Sequence, residues 1–167
     1  HDIASALYGA ISSDSGGFRY DATKPETHIM AARCLETGID FAEINRMLFE
    51  SKTKAQVNLI KTAYNNLELL RDGKFALVAI RPEEVIKCGA TEMDFDCINS
   101  IPREIGGVLA SAVIRQKSDG VKVSMRSNTD IDVAEIAKRF GGGGHYHAAG
   151  FTFGGSFDEA VEATRKC

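Results

Sequence analysis

The hydrophobic pattern changes period at Gly73, and this change limits most strongly what the chain can fold into. Before Gly73, apolar residues recur mostly at helical spacing; after it come apolar runs of strand length bounded by turn residues. Ile3–Ile11 (IASALYGAI) is apolar and fits either a helix or a buried strand. Ser12–Gly17 then gathers turn formers. Pro25 suits the first turn of a helix in which Ile29, Ala32 and Leu35 share a face and which Gly38 ends. Asp40 with Glu43 resembles a capping box for a second helix carrying Phe41, Ile44 and Leu48. Thr53 with Gln56 is a better box, and it opens a long predicted helix bearing Val57, Ile60, Tyr64, Leu67 and Leu70, stopped by Asp72-Gly73.

Beyond Gly73, Lys74–Ile80 reads as a strand in a covered sheet. Pro82–Ile86 reads as a short helix. Gly107–Gln116 and Val121–Arg126 read as strands joined at Ser118-Asp119-Gly120. Asp130 should open a helix reaching Phe140, Ala149–Phe153 should form a strand, and Ser156 with Glu159 should cap a last helix. The predicted class is α/β leaning to α+β. A mixed-sheet domain with flanking helices spans 73–167, and a connecting helix over 53–72 joins it to a helical segment over 1–52.

Charge narrows the function. Over 167 residues, 20 Lys+Arg face 23 Asp+Glu for a net −3, and neither side of Gly73 is a basic arm or an acidic tail. Binding of long nucleic acids rests on many cationic contacts to phosphate, so this balance favours a short ligand gripped at one end. The 44% apolar content excludes a disordered chain. No apolar run approaches the roughly 18–20 residues of a membrane span. Cys34, Cys88, Cys97 and Cys167 form no C-x-x-C pair and read as reduced thiols of a cytoplasmic protein. The chain opens on His1-Asp2 rather than Met, as a piece of a longer protein would.

The most unusual local feature is Gly141-Gly142-Gly143-Gly144-His145-Tyr146-His147-Ala148-Ala149-Gly150. Ordering consecutive glycines is costly, so a backbone need must justify them: left-handed torsions, or close approach of a ligand. Successive N–H groups can form an anion-binding nest, with His145 donating to a phosphate oxygen; the plainer alternative is a flexible connector after a helix cap. The block is neither a Walker A loop nor a dinucleotide fingerprint. His145-x-His147 could pair on a metal, although no cysteine or carboxylate cluster completes a site. Arg126, followed by Ser127 and Asn128 at a strand end, suits phosphate or base-edge recognition, or is a surface arginine on an edge strand. Asp14 follows an apolar run, a common place for a metal-ligating or catalytic carboxylate, and a far commoner one for a turn residue capping its own backbone. Arg19 and Tyr20 are near enough to share its site.

Two of these segments resemble one known family. Ser13-Asp14-Ser15-Gly16-Gly17-Phe18-Arg19-Tyr20, followed by Thr23-x-Pro25-Glu26-Thr27, is similar to the last metal-binding motif of the DHH phosphoesterases, with serine at both usual threonine positions. Ser124-Met125-Arg126-Ser127 with the block at 141–150 resembles the DHH-associated substrate domain. The nearest subgroup is the nanoRNase type, bifunctional oligoribonuclease and 3′-phosphoadenosine 5′-phosphate phosphatase. The resemblance implies a hydrolase with two manganese ions in its first domain, activating water and clamping phosphate. Its second domain would grip the terminal nucleotide of a short RNA or nucleotide substrate.

On that resemblance Asp14 is a metal ligand and catalytic residue, and Arg19, Arg126 and Ser127 contact substrate. Gly142, Gly143, Gly144 and His145 form the phosphate-binding loop, and His147, at a position where the family varies, stays unassigned. The family's other metal ligands, including the Asp-His-His motif, lie upstream of an Asp14-type motif and are missing here. The resemblance therefore implies the C-terminal part of an enzyme, able to bind substrate but not to turn it over alone. The apolar face near Ile3–Ile11 would then be exposed, or covered by a second copy in a homodimer. Two other readings are a cyclic dinucleotide phosphodiesterase and a non-catalytic RNA-binding module like the C-terminal domain of alanyl-tRNA synthetases.

Overall fold

A computed structural model describes residues 2–21 and 23–166; His1, Ala22 and the thiol of Cys167 lie outside the described residues. The chain divides into two compact units between Lys52 and Thr53.

The first unit is helical. Helix α1 spans Asp2–Asp14, α2 Pro25–Glu36 and α3 Phe41–Asn45, continued by one wide π turn over Arg46–Glu50. Asp40 caps α3, its carboxylate accepting from the Glu43 N–H at 3.0 Å. Tyr8, Ala31, Cys34 and Ile39 form the core, with Ala4, Phe18 and Ile44 packed against it. Asn45 ties α3 to α1, donating to the Tyr8 hydroxyl and accepting from Ser12 Oγ, both at 3.0 Å. The face predicted for α2 is rotated: Ala31 and Cys34 are buried, while Ile29 and Leu35 are exposed. On α1, Ile3 is 84% exposed and Leu7 45%, so the apolar run contributes Tyr8 rather than its aliphatic stripe to this core.

The second unit is built on a six-stranded sheet. Helix α4 (Lys54–Asn65) leads into β1 (Leu67–Leu70) and β2 (Phe75–Ile80). Helix α5 (Pro82–Cys88) and 3₁₀ turns at Glu92–Cys97 and Ile101–Glu104 cross to β3 (Ala110–Lys117), which hairpins into β4 (Gly120–Ser127). Then come α6 (Val133–Arg139), β5 (Gly143–His145), β6 (Ala148–Phe153) and α7 (Phe157–Lys166). Among the described residues the strand order is β1-β2-β3-β4-β6-β5, with only β2 and β3 parallel. That single parallel pair explains the long crossover, because a hairpin cannot join parallel strands.

Two cores flank the sheet. On one face Leu77, Ile114, Val123, Met125 and Phe151 pack with Val133 and Ala137 of α6 and Ala160 and Val161 of α7. On the other, Val78, Ile80 and Val113 meet Leu59 and Ala63 of α4 and the crossover residues Phe95, Ile98 and Ile101. Strands β2 and β3 are therefore covered on both sides, which is why Phe75–Ile80 is apolar throughout. Strand β4 is covered on one side only, and its burial alternates strictly along its length.

The connecting helix predicted over 53–72 is shorter than expected. Thr53 and Gln56 form the reciprocal capping box, but α4 ends at Asn65 and Leu67–Leu70 pair antiparallel with β2. Asn66 makes the break by donating to the Ala79 carbonyl at 2.9 Å and to the Glu84 carboxylate. Asp72-Gly73, read as a helix stop, lies in the β1–β2 turn, where Arg71, Asp72 and Gly73 all have positive φ. The helix buries Leu59 and Ala63 in the second unit's core, while Val57 and Tyr64 of the predicted stripe are exposed. Helix α6 starts later than predicted and is capped by Asp132, whose Oδ1 accepts from the N–H groups of Ala134 and Glu135.

Candidate functional site

The uncovered face of β4 carries Lys122, Ser124 and Arg126, the positions that alternate with its buried ones. Directly opposed residues in an antiparallel sheet share a face, so the register extends this surface across two more strands. Ser124 pairs with Gly150, which pairs with Gly143; Arg126 pairs with Ala148, which pairs with His145. The result is a floor of small residues bordered by Lys122, Arg126 and His145.

The glycine block is not a loop. Phe140 caps α6 and Gly141 takes φ 74°, while the N–H of Gly141 bonds the Lys138 carbonyl and that of Gly142 the Ala137 carbonyl. From Gly143 the chain is strand β5, so an anion nest through the glycines is not what forms. The reasons for the glycines differ. A side chain on Gly142 would strike the Gly150 carbonyl and Phe151, and one on Gly144 would stand 2.5 Å from the Ala148 oxygen. A Cβ on Gly143 would meet nothing within 4 Å. Packing thus accounts for Gly142 and Gly144 and the left-handed torsion for Gly141, and Gly143 leaves open ground on the polar face.

His145 closes a hairpin next to its tip, and the tip is fixed. The Ser127 N–H donates to the His147 carbonyl, the Val133 N–H to the Tyr146 carbonyl, and the Tyr146 hydroxyl to the Asp130 carbonyl at 2.7 Å. His147 occupies that tip against the Tyr146 ring. Arg126 is half-buried, with Nη1 donating to the Met125 carbonyl. Ser127 does not join this surface. It is 2% exposed, alternates to the opposite face, and its hydroxyl is engaged with both backbone groups of Thr129. Asn128 is equally structural, bridging the Arg103 and Val108 carbonyls. Sequence reasoning passed over Lys122, although strict alternation from Val121 to Arg126 was the signal that could have found it.

Asp14 and Arg19 belong to the first unit. Asp14 ends a helix rather than a strand, and a shallow pocket of about 170 Å³ lies between it, Ile11, Ser15, Thr27 and Met30. The following turn is wound around Ser15. Its Oγ donates to the Ile11 carbonyl at 2.7 Å and accepts from the Phe18 N–H at 3.0 Å, and Gly16, Gly17 and Phe18 all have positive φ. Such a torsion is costly for phenylalanine, so the surroundings hold it in place. Arg19 donates to the Gly16 carbonyl at 2.6 Å. Among the described residues no three His, Cys, Asp or Glu side chains converge, so these residues do not fit a two-metal centre by themselves. Among the described residues no disulfide involves Cys34, Cys88 or Cys97, and no helix is long and apolar enough to cross a membrane.

Comparison with known proteins agrees with this architecture. Residues 77–167 match the family model of the DHHA1 domain. The bifunctional oligoribonuclease and PAP phosphatase NrnA of Thermus thermophilus is 31% identical over 99% of this chain and 51% of its own length. Its Streptococcus mutans counterpart is 32% identical over 88% of this chain and 47% of its own. The chain thus spans about half the length of these relatives. A crystal structure of an exopolyphosphatase-related protein from Bacteroides fragilis superposes with a TM-score of 0.90 at 28% identity, over 98% of this chain and 48% of that one.

Proposed function

The chain belongs to the DHHA1 domain family, and on that premise we propose that its second unit grips the phosphorylated end of a short oligoribonucleotide or of 3′-phosphoadenosine 5′-phosphate for hydrolysis by the whole enzyme. One observation carries the reading: Gly143 is open where packing does not require it, on a floor bordered by Arg126 and His145. A guanidinium beside a smooth polar floor suits a phosphate, which it can bind through two parallel hydrogen bonds. His145 adds a further donor to the phosphate oxygens. Gly142 and Gly144 shape the floor without touching ligand.

The hydrolytic step belongs to the whole protein. In this reading Asp14 is one carboxylate of a manganese centre completed by residues outside this chain, and Arg19 stands near it. Cysteines without a disulfide among the described residues suit a cytoplasmic setting. The relatives' names, with identity across most of this chain, support the substrate class. Calorimetric titration with 5′-phosphorylated diadenosine and with 3′-phosphoadenosine 5′-phosphate tests it. Both should bind, and the dephosphorylated dinucleoside should bind far more weakly. Equal affinity with and without the terminal phosphate would end this reading.

A further inference from the structure

Lys122 shares the uncovered face of β4 with Ser124 and Arg126, yet the site proposed above gives it no task. Its position is unusual. A Cβ on Gly150 would stand 3.3 Å from both Cε and Nζ of Lys122, so the ammonium group lies across the glycine floor instead of extending into solvent. Gly150 is the register partner of Ser124, which places the charge level with Ser124 along the strand. Arg126 is one same-face step further, about 6.6 Å along a strand.

Electrostatics explains why the ammonium lies there. Across β3, Lys122 is opposed directly by Arg115, and like charges facing each other in a ladder repel. Arg115 cannot move away, since its guanidinium is stacked 4.4 Å from the Phe95 ring centroid. Glu92, the nearby carboxylate, is taken by Arg115 at 3.4 Å and Lys117 at 3.5 Å. Nε and Nη1 of Arg115 are buried without a partner among the described residues, so its charge is only partly balanced. Lys122 is turned from this cation toward the glycines, and no described residue gives it an ion pair or hydrogen bond. An amine held over a glycine floor, one step from an arginine, is arranged for an anion that the chain itself does not supply.

We infer that Lys122 contacts a second phosphate of the ligand whose first phosphate is held at Arg126, and so favours substrates bearing two phosphates over nucleoside monophosphates. This rests on the proposed nucleotide-binding role of the floor. The second phosphate could be on the same nucleotide or join it to the next. Three ligands titrated into the chain separate these sources: adenosine 5′-monophosphate, adenosine 3′,5′-bisphosphate and linear 5′-phosphorylated diadenosine. Lys122→Met should weaken the bisphosphate, the dinucleotide or both about tenfold, the scale of one charge-assisted hydrogen bond, and leave the monophosphate within twofold. Lys122→Arg should restore most of the loss. An effect on the bisphosphate alone assigns the contact to one nucleotide, and an effect on the dinucleotide assigns it to the linking phosphate. Equal weakening of all three ligands, or of none, overturns the inference while leaving the floor's role intact. Failure of the wild-type chain to bind any of them overturns both.

Discussion

Gly143 and Gly150 are register partners on adjacent strands, and together they strip the polar face of the sheet of side chains at its edge. Only Gly150 is constrained there, with the Val123 carbonyl 2.8 Å from where its Cβ would stand. Gly143→Ala should therefore fold with near wild-type stability and lose nucleotide affinity. Gly144→Ala, at φ 146° and against Ala148 and Ala149, should destabilise the unit by about 1–3 kcal/mol. Thermal unfolding and calorimetric titration of the two variants side by side would separate the roles. A Gly143→Ala protein that melts like Gly144→Ala would remove the argument that its bareness serves a ligand.

Arg126→Ala should weaken phosphorylated ligands by roughly 1.5–3 kcal/mol, the scale of hydrogen bonds to charged groups. Affinity for dephosphorylated ligands should stay unchanged. A uniform loss across both classes would mean that the guanidinium mainly holds up the strand end through the Met125 carbonyl.

Asn66→Ala should cost roughly 1–3 kcal/mol in chemical denaturation, since the Ala79 carbonyl and the Glu84 carboxylate both lose a donor. The variant also removes the residue that separates α4 from β1. Slower hydrogen exchange across residues 66–70 in the variant would show that this residue is not what holds the strand in place.

Glu159 caps α7 by accepting from the Ser156 N–H and Oγ, both at 2.8 Å, and these bonds hold its carboxyl below its usual value of 4.5. A lowered folded-state value means that the cap stabilises above the unfolded-state value and is lost as pH falls through the folded one. Wild-type stability should therefore decline below about pH 4.5 more steeply than that of Glu159→Gln. Acid titrations followed by circular dichroism should show the two curves converging. Parallel curves would remove this group from the acid response.

Much of this organisation could be read from local sequence where one rule acted alone. The Thr53–Gln56 and Ser156–Glu159 boxes, the β3–β4 turn and the covered strand β2 each follow from short-range chemistry. What escaped depended on partners distant in sequence. Leu67–Leu70 carries helical spacing, and only β2 makes it a strand. Ser127 is one residue from Arg126, and strand parity separates them onto opposite faces. The glycines read as a loop because nothing local shows that β6 passes close to two of them. The hydroxyl at Ser15 follows the same logic, since its use is clear only once α1 is seen to end in a knot around it.

The alternation of β4 places two kinds of selection on interleaved letters of one word. Val121, Val123 and Met125 answer to the core, while Lys122, Ser124 and Arg126 answer to whatever lies on the open face. Evolution can rewrite the second set without disturbing the first, so relatives can trade one small ligand for another on the same scaffold. A single-residue deletion within the strand has no such freedom, because it exchanges the two alphabets and turns lysine and arginine toward the apolar side.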